Sequence, residues 1–282
     1  MPETERKRVS SQEETRPLFP VVMGGKAGYI DNTGKCVIRP QFDLAEKFSE
    51  GLALVIMGGK VGYIDKTGKY VIKPQFDFTY AGAFSEGLAA VKRGGKRGYI
   101  DKMGKFVIRP QFNLIERFSE GLAAVKKRGR WGYIDKRGKY VINPQFDMAL
   151  PFSEGLALIK KRSKRGYIDR MRKCVIRPQF DDARSFSEGL AGVKIEGKWG
   201  YIDKTEKRVI NPQFDFAWGF SEGLAGAKIR GKWGYIDKTG KFVINPQFDI
   251  ALPFSEGLAR AEFRGRWGYI DKTGKYIWKS TE

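Results

Sequence analysis

The sequence predicts an all-β protein made of tandem three-stranded antiparallel repeat units, which stack as an open solenoid or superhelical array. The first observation is a Gly-Tyr-Ile-Asp core that occurs eight times in 282 residues. The copies begin at Gly28, Gly62, Gly98, Gly132, Gly166, Gly200, Gly234 and Gly268. They are 34 residues apart, except for one step of 36 between the second and third copies. A unit of this length cannot bury its own apolar face, so neighbouring units must stack on each other.

Each unit contains three short runs with the composition of strands. An apolar run such as 88–91 comes first, the Gly-Tyr-Ile-Asp run second, and a Lys-Phe-Val-Ile run third. β-Branched and aromatic residues fill the runs and glycine separates them, which predicts hairpins. Asp237 and Gly240 flank the second turn, so we expect a type I turn closed by a left-handed glycine. Arg172 and Glu206 replace this glycine in two units, where a positive φ disfavours a side chain.

A Pro-Gln-Phe-Asp segment and a variable connector separate each unit from the next. Because proline cannot donate to a strand ladder, we expect it to end the third strand. Asp181 and Asp249 are predicted to cap a single helical turn in their connectors. The two extra residues of the second unit fall at 78–83, where a connecting loop can absorb them. The alternative to an open array is a closed eight-unit ring that resembles a propeller.

Residues 1–17 are predicted to form a flexible arm, and residues 18–282 a single array of eight repeats. No run of 18 apolar residues that could span a membrane occurs, and the charged first segment is not a secretory signal. Cys36 and Cys174 occupy the same repeat position four units apart, too far for a disulfide in a linear stack. We therefore expect free thiols, a reducing compartment and a cytoplasmic protein.

Four units read Lys- or Arg-Trp-Gly-Tyr-Ile-Asp, and the run is seen most fully with its partner segments in the units at 198–203, 232–237 and 266–271. Gln-Phe-Asp and Phe-Ser-Glu-Gly-Leu-Ala accompany this run where the chain continues. In these residues the chain, over about 18–280, resembles the bacterial WG (KWG) β-repeat family. The tryptophan is replaced in four units, by Ala27, Val61, Arg97 and Arg165. The resemblance implies a β-rich interaction module without a shared enzymatic activity.

The sequence lacks the groups on which common catalytic sites depend. It contains no histidine, which excludes Ser-His-Asp and Cys-His nucleophiles and histidine-ligated zinc. Most acidic residues occupy three repeat positions: the Asp of Gly-Tyr-Ile-Asp, the Glu of Phe-Ser-Glu-Gly and the Asp of Gln-Phe-Asp. A residue repeated in every unit is expected to hold a turn or a cap in that unit. We therefore predict no catalytic residue, no metal site, no cofactor and no enzymatic activity.

The formal net charge is +21, and the acids and bases of residues 1–17 cancel, so the excess lies on the repeats. Two repeat positions are basic in every unit. The first basic set lies two residues before each Gly-Tyr and comprises Lys26, Lys60, Lys96, Arg130, Lys164, Lys198, Lys232 and Arg266. The second basic set follows the second turn and comprises Lys35, Lys69, Lys105, Lys139, Lys173, Lys207, Lys241 and Lys275. Stacking would turn each set into a row whose fields partly sum.

These rows predict a non-catalytic binding or scaffold protein that presents an extended basic surface to a macromolecular partner, a protein or protein complex. The alternative is a protein that binds nucleic acid or another polyanion without reading its sequence. Lysines at hairpin tips also keep strand edges from pairing between molecules, which needs no partner. Trp131, Trp199, Trp233 and Trp267 are candidates for stacking on a ligand. The alternation of the strand, however, favours packing of these tryptophans between units.

Overall fold

The computed structural model describes residues 17–279, so the predicted arm lies outside the described residues except for Pro17. The described part contains eight antiparallel sheets, which we call blades 1–8 in chain order. The chain divides into two compact units, residues 1–144 and 145–282. Blades 1–4 belong to the first unit, apart from the last two residues of blade 4, and blades 5–8 belong to the second. No helix that could cross a membrane occurs between residues 17 and 279.

Strands β1–β14 form the first four blades. Blade 1 comprises β1 (Phe19–Met23), β2 (Lys26–Ile30) and β3 (Cys36–Phe42). Blade 2 comprises β4 (Leu44–Ala45), β5 (Ala53–Met57), β6 (Lys60–Ile64) and β7 (Tyr70–Asp77). Blade 3 comprises β8 (Ala89–Arg93), β9 (Lys96–Ile100) and β10 (Phe106–Phe112). Blade 4 comprises β11 (Leu114–Ile115), β12 (Leu122–Lys127), β13 (Arg130–Asp135) and β14 (Tyr140–Phe146).

Strands β15–β30 form the other four blades. Blade 5 comprises β15 (Met148–Ala149), β16 (Leu156–Lys161), β17 (Lys164–Asp169) and β18 (Cys174–Phe180). Blade 6 comprises β19 (Asp182–Ala183), β20 (Ala191–Ile195), β21 (Lys198–Ile202) and β22 (Arg208–Phe214). Blade 7 comprises β23 (Phe216–Ala217), β24 (Ala225–Ile229), β25 (Lys232–Ile236) and β26 (Phe242–Phe248). Blade 8 comprises β27 (Ile250–Ala251), β28 (Ala259–Phe263), β29 (Arg266–Ile270) and β30 (Tyr276–Lys279).

The predicted open solenoid of three-stranded units is wrong, because the fold is a β-propeller in which six of the eight described blades are four-stranded sheets. In blade 7 the strands lie in the order β23-β24-β25-β26, and each pair is antiparallel. The extra strand is β23, which pairs Phe216 with Lys228 and Ala217 with Ala227. The connector therefore belongs to the sheet of the repeat that follows it, and this pairing gives the blade its fourth strand.

The helical turn predicted after Asp181 and Asp249 is also wrong, since both connectors form two-residue strands, β19 and β27. The amide of Asp249 donates to the carbonyl of Glu262 at 2.8 Å, and the amide of Leu252 donates to that of Arg260 at 3.0 Å. One helical turn leaves nearly all of its own N–H groups unsatisfied. Pairing with β28 satisfies these groups at once, so the next blade draws the connector into its sheet.

Proline does not end the third strand as predicted. Strand β26 contains Pro246 and continues to Phe248. The register with β25 shifts between the pair Trp233–Phe248 and the pair Tyr235–Ile244, which marks a bulge around the proline. Because β26 is the outer strand of its sheet, a residue without an N–H group is tolerated there.

The predicted second turn is confirmed. The amide of Gly240 donates to the carbonyl of Asp237 at 3.0 Å, and the φ of Gly240 is 89°. Arg172 and Glu206 adopt φ values of 70° and 72°, the left-handed conformation expected at this position. The turn geometry is therefore the same in all eight repeats. Where a side chain replaces glycine, the positive φ costs conformational free energy.

Blade 3 lacks the fourth strand because its connector carries the two extra residues. The connector turns at 77–80, and it then pairs with β8 through a single bridge between Ala81 and Val91 and a hydrogen bond from the amide of Gly82 to the carbonyl of Ala90 at 2.9 Å. The insertion therefore lies where the sequence predicts it, and its consequence is the loss of a two-residue strand.

The core lies between the faces of consecutive blades. In the second compact unit, residues 145–282, Trp199, Tyr201 and Phe214 of blade 6 pack in one cluster with Ala225 and Ile236 of blade 7. The first unit repeats this arrangement between blades 2 and 3, where Tyr63, Ile72 and Phe76 pack with Ala89, Val91 and Ile100. Both interfaces join the large aromatic side of one blade to the small aliphatic side of the next, which explains why one isolated repeat has no core.

Candidate binding surface

The first basic set begins the second long strand of each blade, and five of its lysines form ion pairs within their own repeat. Each partner is the aspartate 17 residues later, the last residue of the Gln-Phe-Asp segment. The Nζ–Oδ1 distances are 2.7 Å for Lys26–Asp43, 3.4 Å for Lys60–Asp77, 2.5 Å for Lys164–Asp181, 2.6 Å for Lys198–Asp215 and 2.5 Å for Lys232–Asp249. All eight members are exposed to solvent, and in these five an aspartate already balances the charge of the lysine.

In the pair of Lys232 and Asp249, the aspartate also connects two blades. Asp249 follows the last strand of blade 7, and its Oδ2 accepts the backbone N–H of Arg264, in the hairpin of blade 8, at 2.7 Å. The hydrogen bond from Lys232, followed by this N–H group, holds the pKa of the Asp249 carboxyl below its ordinary value of 3.8. Lys232 therefore helps to keep a structural carboxylate ionised between neighbouring blades.

Lowering the pH is expected to destabilise the protein through such carboxylates. A group whose pKa is lower in the folded state stabilises above its unfolded pKa, and this contribution disappears as the pH falls through the folded value. We expect Asp249 to titrate below 3.8 and its pKa to rise in Lys232→Met. Carboxyl NMR titration measures both values, with thermal melts from about pH 5 to about pH 2 alongside. Lys241→Met, in the same blade, is the control, and an equal shift in both variants would contradict the assignment.

The glutamates of Phe-Ser-Glu-Gly bind the next repeat in the same manner. Glu222 accepts the amide of Gly257 at 3.0 Å and pairs with Lys272 at 3.1 Å, and Glu86 pairs with Lys136 at 3.1 Å. Seven such glutamates have positive φ values between 51° and 55°, an uncommon backbone conformation for this residue type. Lys136 and Lys272 directly follow the Asp of Gly-Tyr-Ile-Asp and belong to a third basic position. The sequence analysis missed this position, because the ion pair joins residues about 50 positions apart.

The second basic set is placed differently. All eight lysines are exposed, and none forms an ion pair within 4 Å in the described part of the chain. Their backbone is nonetheless fixed, since the amide of Lys241 donates to Oδ1 of Asp237 at 3.1 Å and that oxygen also accepts the Thr239 hydroxyl at 2.6 Å. Each ammonium group thus stands on a rigid hairpin with its charge available to solvent.

Most of the candidate stacking tryptophans lie in the core. Trp131, Trp199 and Trp233 are 8%, 3% and 7% exposed, and Trp267 is half-buried. The packing interpretation is confirmed for the first three, so their rings cannot stack on a ligand in this conformation. Of the four, Trp267 is the most exposed, although the guanidinium carbon of Arg260 lies 4.1 Å from its ring centre and covers one face.

One aromatic cluster in blades 6 and 7 is larger than any other cation–π cluster between residues 17 and 279. The guanidinium carbon of Arg184 lies 5.0, 4.7 and 4.6 Å from the ring centres of Trp199, Phe216 and Trp218. Its Nε donates to the carbonyl of Ala217 at 2.7 Å. Burial lowers the pKa of Arg184, although the contacts with aromatic faces favour its charge.

A glycine makes room for this cluster. A Cβ at Gly226 would lie 2.8 Å from Cδ1 of Trp218, so alanine, which other repeats carry at this position, would displace the ring. The sequence signal is the presence of Trp218 in the connector that precedes Gly226 in the strand, and it does not appear in the positions that all repeats share. Arg184 already covers the faces of these rings, so they are not open to a ligand. The cluster instead packs blade 6 against blade 7.

The remaining candidate chemistry is limited. Cys36 and Cys174 are free, as the sequence predicts, and both are exposed. Among the described residues, no group of three or more His, Cys, Asp or Glu side chains is arranged to hold a metal ion. The recurrent carboxylates bind lysines, turn hydroxyls and backbone amides. The arrangement is therefore suited to binding through basic side chains.

The comparisons with known proteins agree with this repeat organisation. A family model described as a WG containing repeat matches residues 28–60, 62–96, 98–131, 131–164, 166–199, 199–233 and 233–267. No curated protein sequence matches the chain.

Solved structures similar to the chain are β-propellers. The "Crystal structure of the eukaryotic initiation factor" has a TM-score of 0.65 and 13% identity, over 94% of this chain and 84% of that one. The "Dihydro-heme d1 dehydrogenase NirN in complex with DHE" has a TM-score of 0.54 and 14% identity, over 93% and 72%. The KlHsv2 variant with loop 6CD replaced by a Gly-Ser linker has a TM-score of 0.50 and 8% identity, over 80% and 91%. At these identities the likeness shows the fold alone.

Proposed function

The chain belongs to the WG-repeat family, and we propose that it is a non-catalytic binding protein that presents its second basic set to an acidic macromolecular partner. One observation carries this proposal. The lysines of the second set are exposed and without ion pairs in the described structure, whereas five of the first set are already neutralised. The proposed surface is therefore narrower than the two rows that the sequence predicts.

Several features support a protein or a protein complex as the partner. The second-set lysines are fixed on rigid hairpins at regular repeat positions, which suits a folded acidic surface more than a mobile chain. Such charge complementarity raises the association rate and selects against basic partners. The recurrent carboxylates support a binding role without catalysis, because each type already holds a structural contact. The two free thiols support the cytoplasm as the compartment.

Charge reversal in the second set is expected to weaken binding without loss of stability. We expect Lys207→Glu with Lys241→Glu to lose most of the partner recovered by affinity purification from the source cells, while thermal stability stays nearly unchanged. The matched control is Lys198→Glu with Lys232→Glu, which places like charges against Asp215 and Asp249 and should lower thermal stability. Equal recovery of the partner by wild type and by the second-set variant would reject the proposal.

The alternative is binding of nucleic acid or another polyanion through the same lysines. The dependence of the affinity on salt concentration distinguishes a protein partner from a polyanion. Contacts with phosphates release counterions, so the affinity for a nucleic acid falls steeply as the ionic strength rises. Labelled single-stranded and duplex DNA, titrated from low to physiological salt, should bind weakly if the partner is a protein. Tight binding with a steep salt dependence, lost in the second-set variant, would favour the alternative, as would loss of recovered partner after nuclease treatment.

A further inference from the structure

Two cavities occupy corresponding positions in blades 4 and 8, next to the hairpin that joins the first two long strands. The cavity in blade 8 has a volume of about 440 Å³ and is lined by Phe263, Arg264, Arg266, Trp267 and Tyr276. The cavity in blade 4 has a volume of about 510 Å³ and is lined by Lys127, Arg128, Arg130, Tyr140 and Pro144. Both volumes fall in the usual range for small-molecule sites.

The sequence of the two hairpins differs from that of the other six. Their tips read Arg-Gly-Arg, whereas blades 1–3 carry Gly-Gly-Lys and blades 5–7 carry Arg-Ser-Lys, Glu-Gly-Lys and Arg-Gly-Lys. In blades 4 and 8 the third long strand also begins with tyrosine, Tyr140 or Tyr276. Tyr70 begins the same strand in blade 2, but the hairpin there has no arginine. The combination of two arginines and a tyrosine is confined to the blades in which these two cavities lie.

We propose that each cavity binds a nucleotide, with the phosphate at the arginine pair and the base against an aromatic ring, which is Tyr140 in blade 4 and Tyr276 or the free face of Trp267 in blade 8. Guanidinium groups bind phosphate oxygens in pairs of charge-assisted hydrogen bonds, which lysine cannot reproduce. An aromatic wall accepts any base through its π-face. The inference concerns residues outside the second basic set and does not depend on the proposed acidic partner.

Local contacts prepare each site for an anion with a planar ring. The guanidinium carbon of Arg264 lies 5.1 Å from the ring centre of Phe263, so the ring supports this side chain. The Asp249 carboxylate nearby is occupied by Lys232 and by the backbone N–H of Arg264. In blade 4 the hydroxyl of Tyr140 is buried without a hydrogen-bond partner among the described residues, which leaves a polar group that a ligand can satisfy.

The experiment uses variants that convert one tip into another found in this chain. Arg128→Gly with Arg130→Lys, and Arg264→Gly with Arg266→Lys, give the Gly-Gly-Lys tip of blades 1–3. Because Arg128 and Arg264 have φ values of 49° and 52°, glycine suits both positions and folding is preserved. Calorimetric titration with AMP should give two sites per chain in the wild type and one in each variant. The combined variant should bind AMP at least about tenfold more weakly.

Three comparisons decide the outcome. Arg230→Gly alters the tip of blade 7 and should leave both AMP sites intact. Adenosine and inorganic phosphate should each bind more weakly than AMP, because each lacks one half of the ligand. The proposal is overturned if wild type binds no AMP at millimolar concentration, if the combined variant binds like wild type, or if inorganic phosphate binds as tightly as AMP.

Discussion

Gly200→Ala is expected to destabilise the protein by about 3 kcal/mol, the upper part of the range for overpacking a core. A Cβ at Gly200 would lie 2.5 Å from the carbonyl oxygen of Ile210, 2.7 Å from the nitrogen of Pro212 and 2.8 Å from the carbonyl carbon of Asn211. All three are backbone atoms of the neighbouring strand β22, which cannot move aside as a flexible side chain does. Denaturant unfolding of the two proteins measures the difference.

Gly192→Ala is the matched control in the same blade. A Cβ at Gly192 would meet its nearest atoms, Cε3 and Cζ3 of Trp199, at 3.6 and 3.7 Å, which is ordinary van der Waals contact. Two other repeats already carry alanine at this position, Ala90 and Ala124. We expect a change below about 1 kcal/mol. A similar loss in both variants would show that the close approach of β22 is not the reason for the glycine.

Tyr235→Ala is expected to lower stability by about 3–5 kcal/mol. The side chain is fully buried between blades 7 and 8, and its ring centre lies 4.8 Å from that of Phe254. Its hydroxyl donates to the carbonyl of Leu252 at 2.8 Å, so the truncation leaves both a cavity and an unpaired acceptor. Tyr235→Phe removes the hydroxyl alone and should cost about 1–2 kcal/mol.

Tyr269 provides the control, because it occupies the same repeat position in blade 8 but is 43% exposed. Its ring centre lies 6.2 Å from that of Trp278, and less apolar surface would be uncovered by the change. We expect Tyr269→Ala to cost well under half as much as Tyr235→Ala when both are measured by denaturant unfolding. Equal losses would mean that packing between blades is not what makes the repeated tyrosine important.

Part of the candidate surface could be predicted from the sequence alone. It identified both basic sets and the positions of the tryptophans, and it correctly favoured packing for Trp199 and Trp233. It could not separate the first basic set from the second, because the ion pair between Lys198 and Asp215 needs two strands folded side by side. The cavities in blades 4 and 8 were also hidden, although their Arg-Gly-Arg tips are visible in the sequence.

The sequence by itself determined the repeat, the three long strands and the turn at Asp237–Gly240. These features depend on the backbone preferences of a few neighbouring residues, so they can be recognised locally. Only the tertiary structure decided that every connector but the one before blade 3 adds a fourth strand, and that the array is a β-propeller. That choice depends on hydrogen bonds between a connector and the following strand, such as Trp218 to Gly226, and on contacts such as Glu222 to Lys272. A periodic pattern shows which residues recur, but the free energy of pairing across repeats decides what they contact.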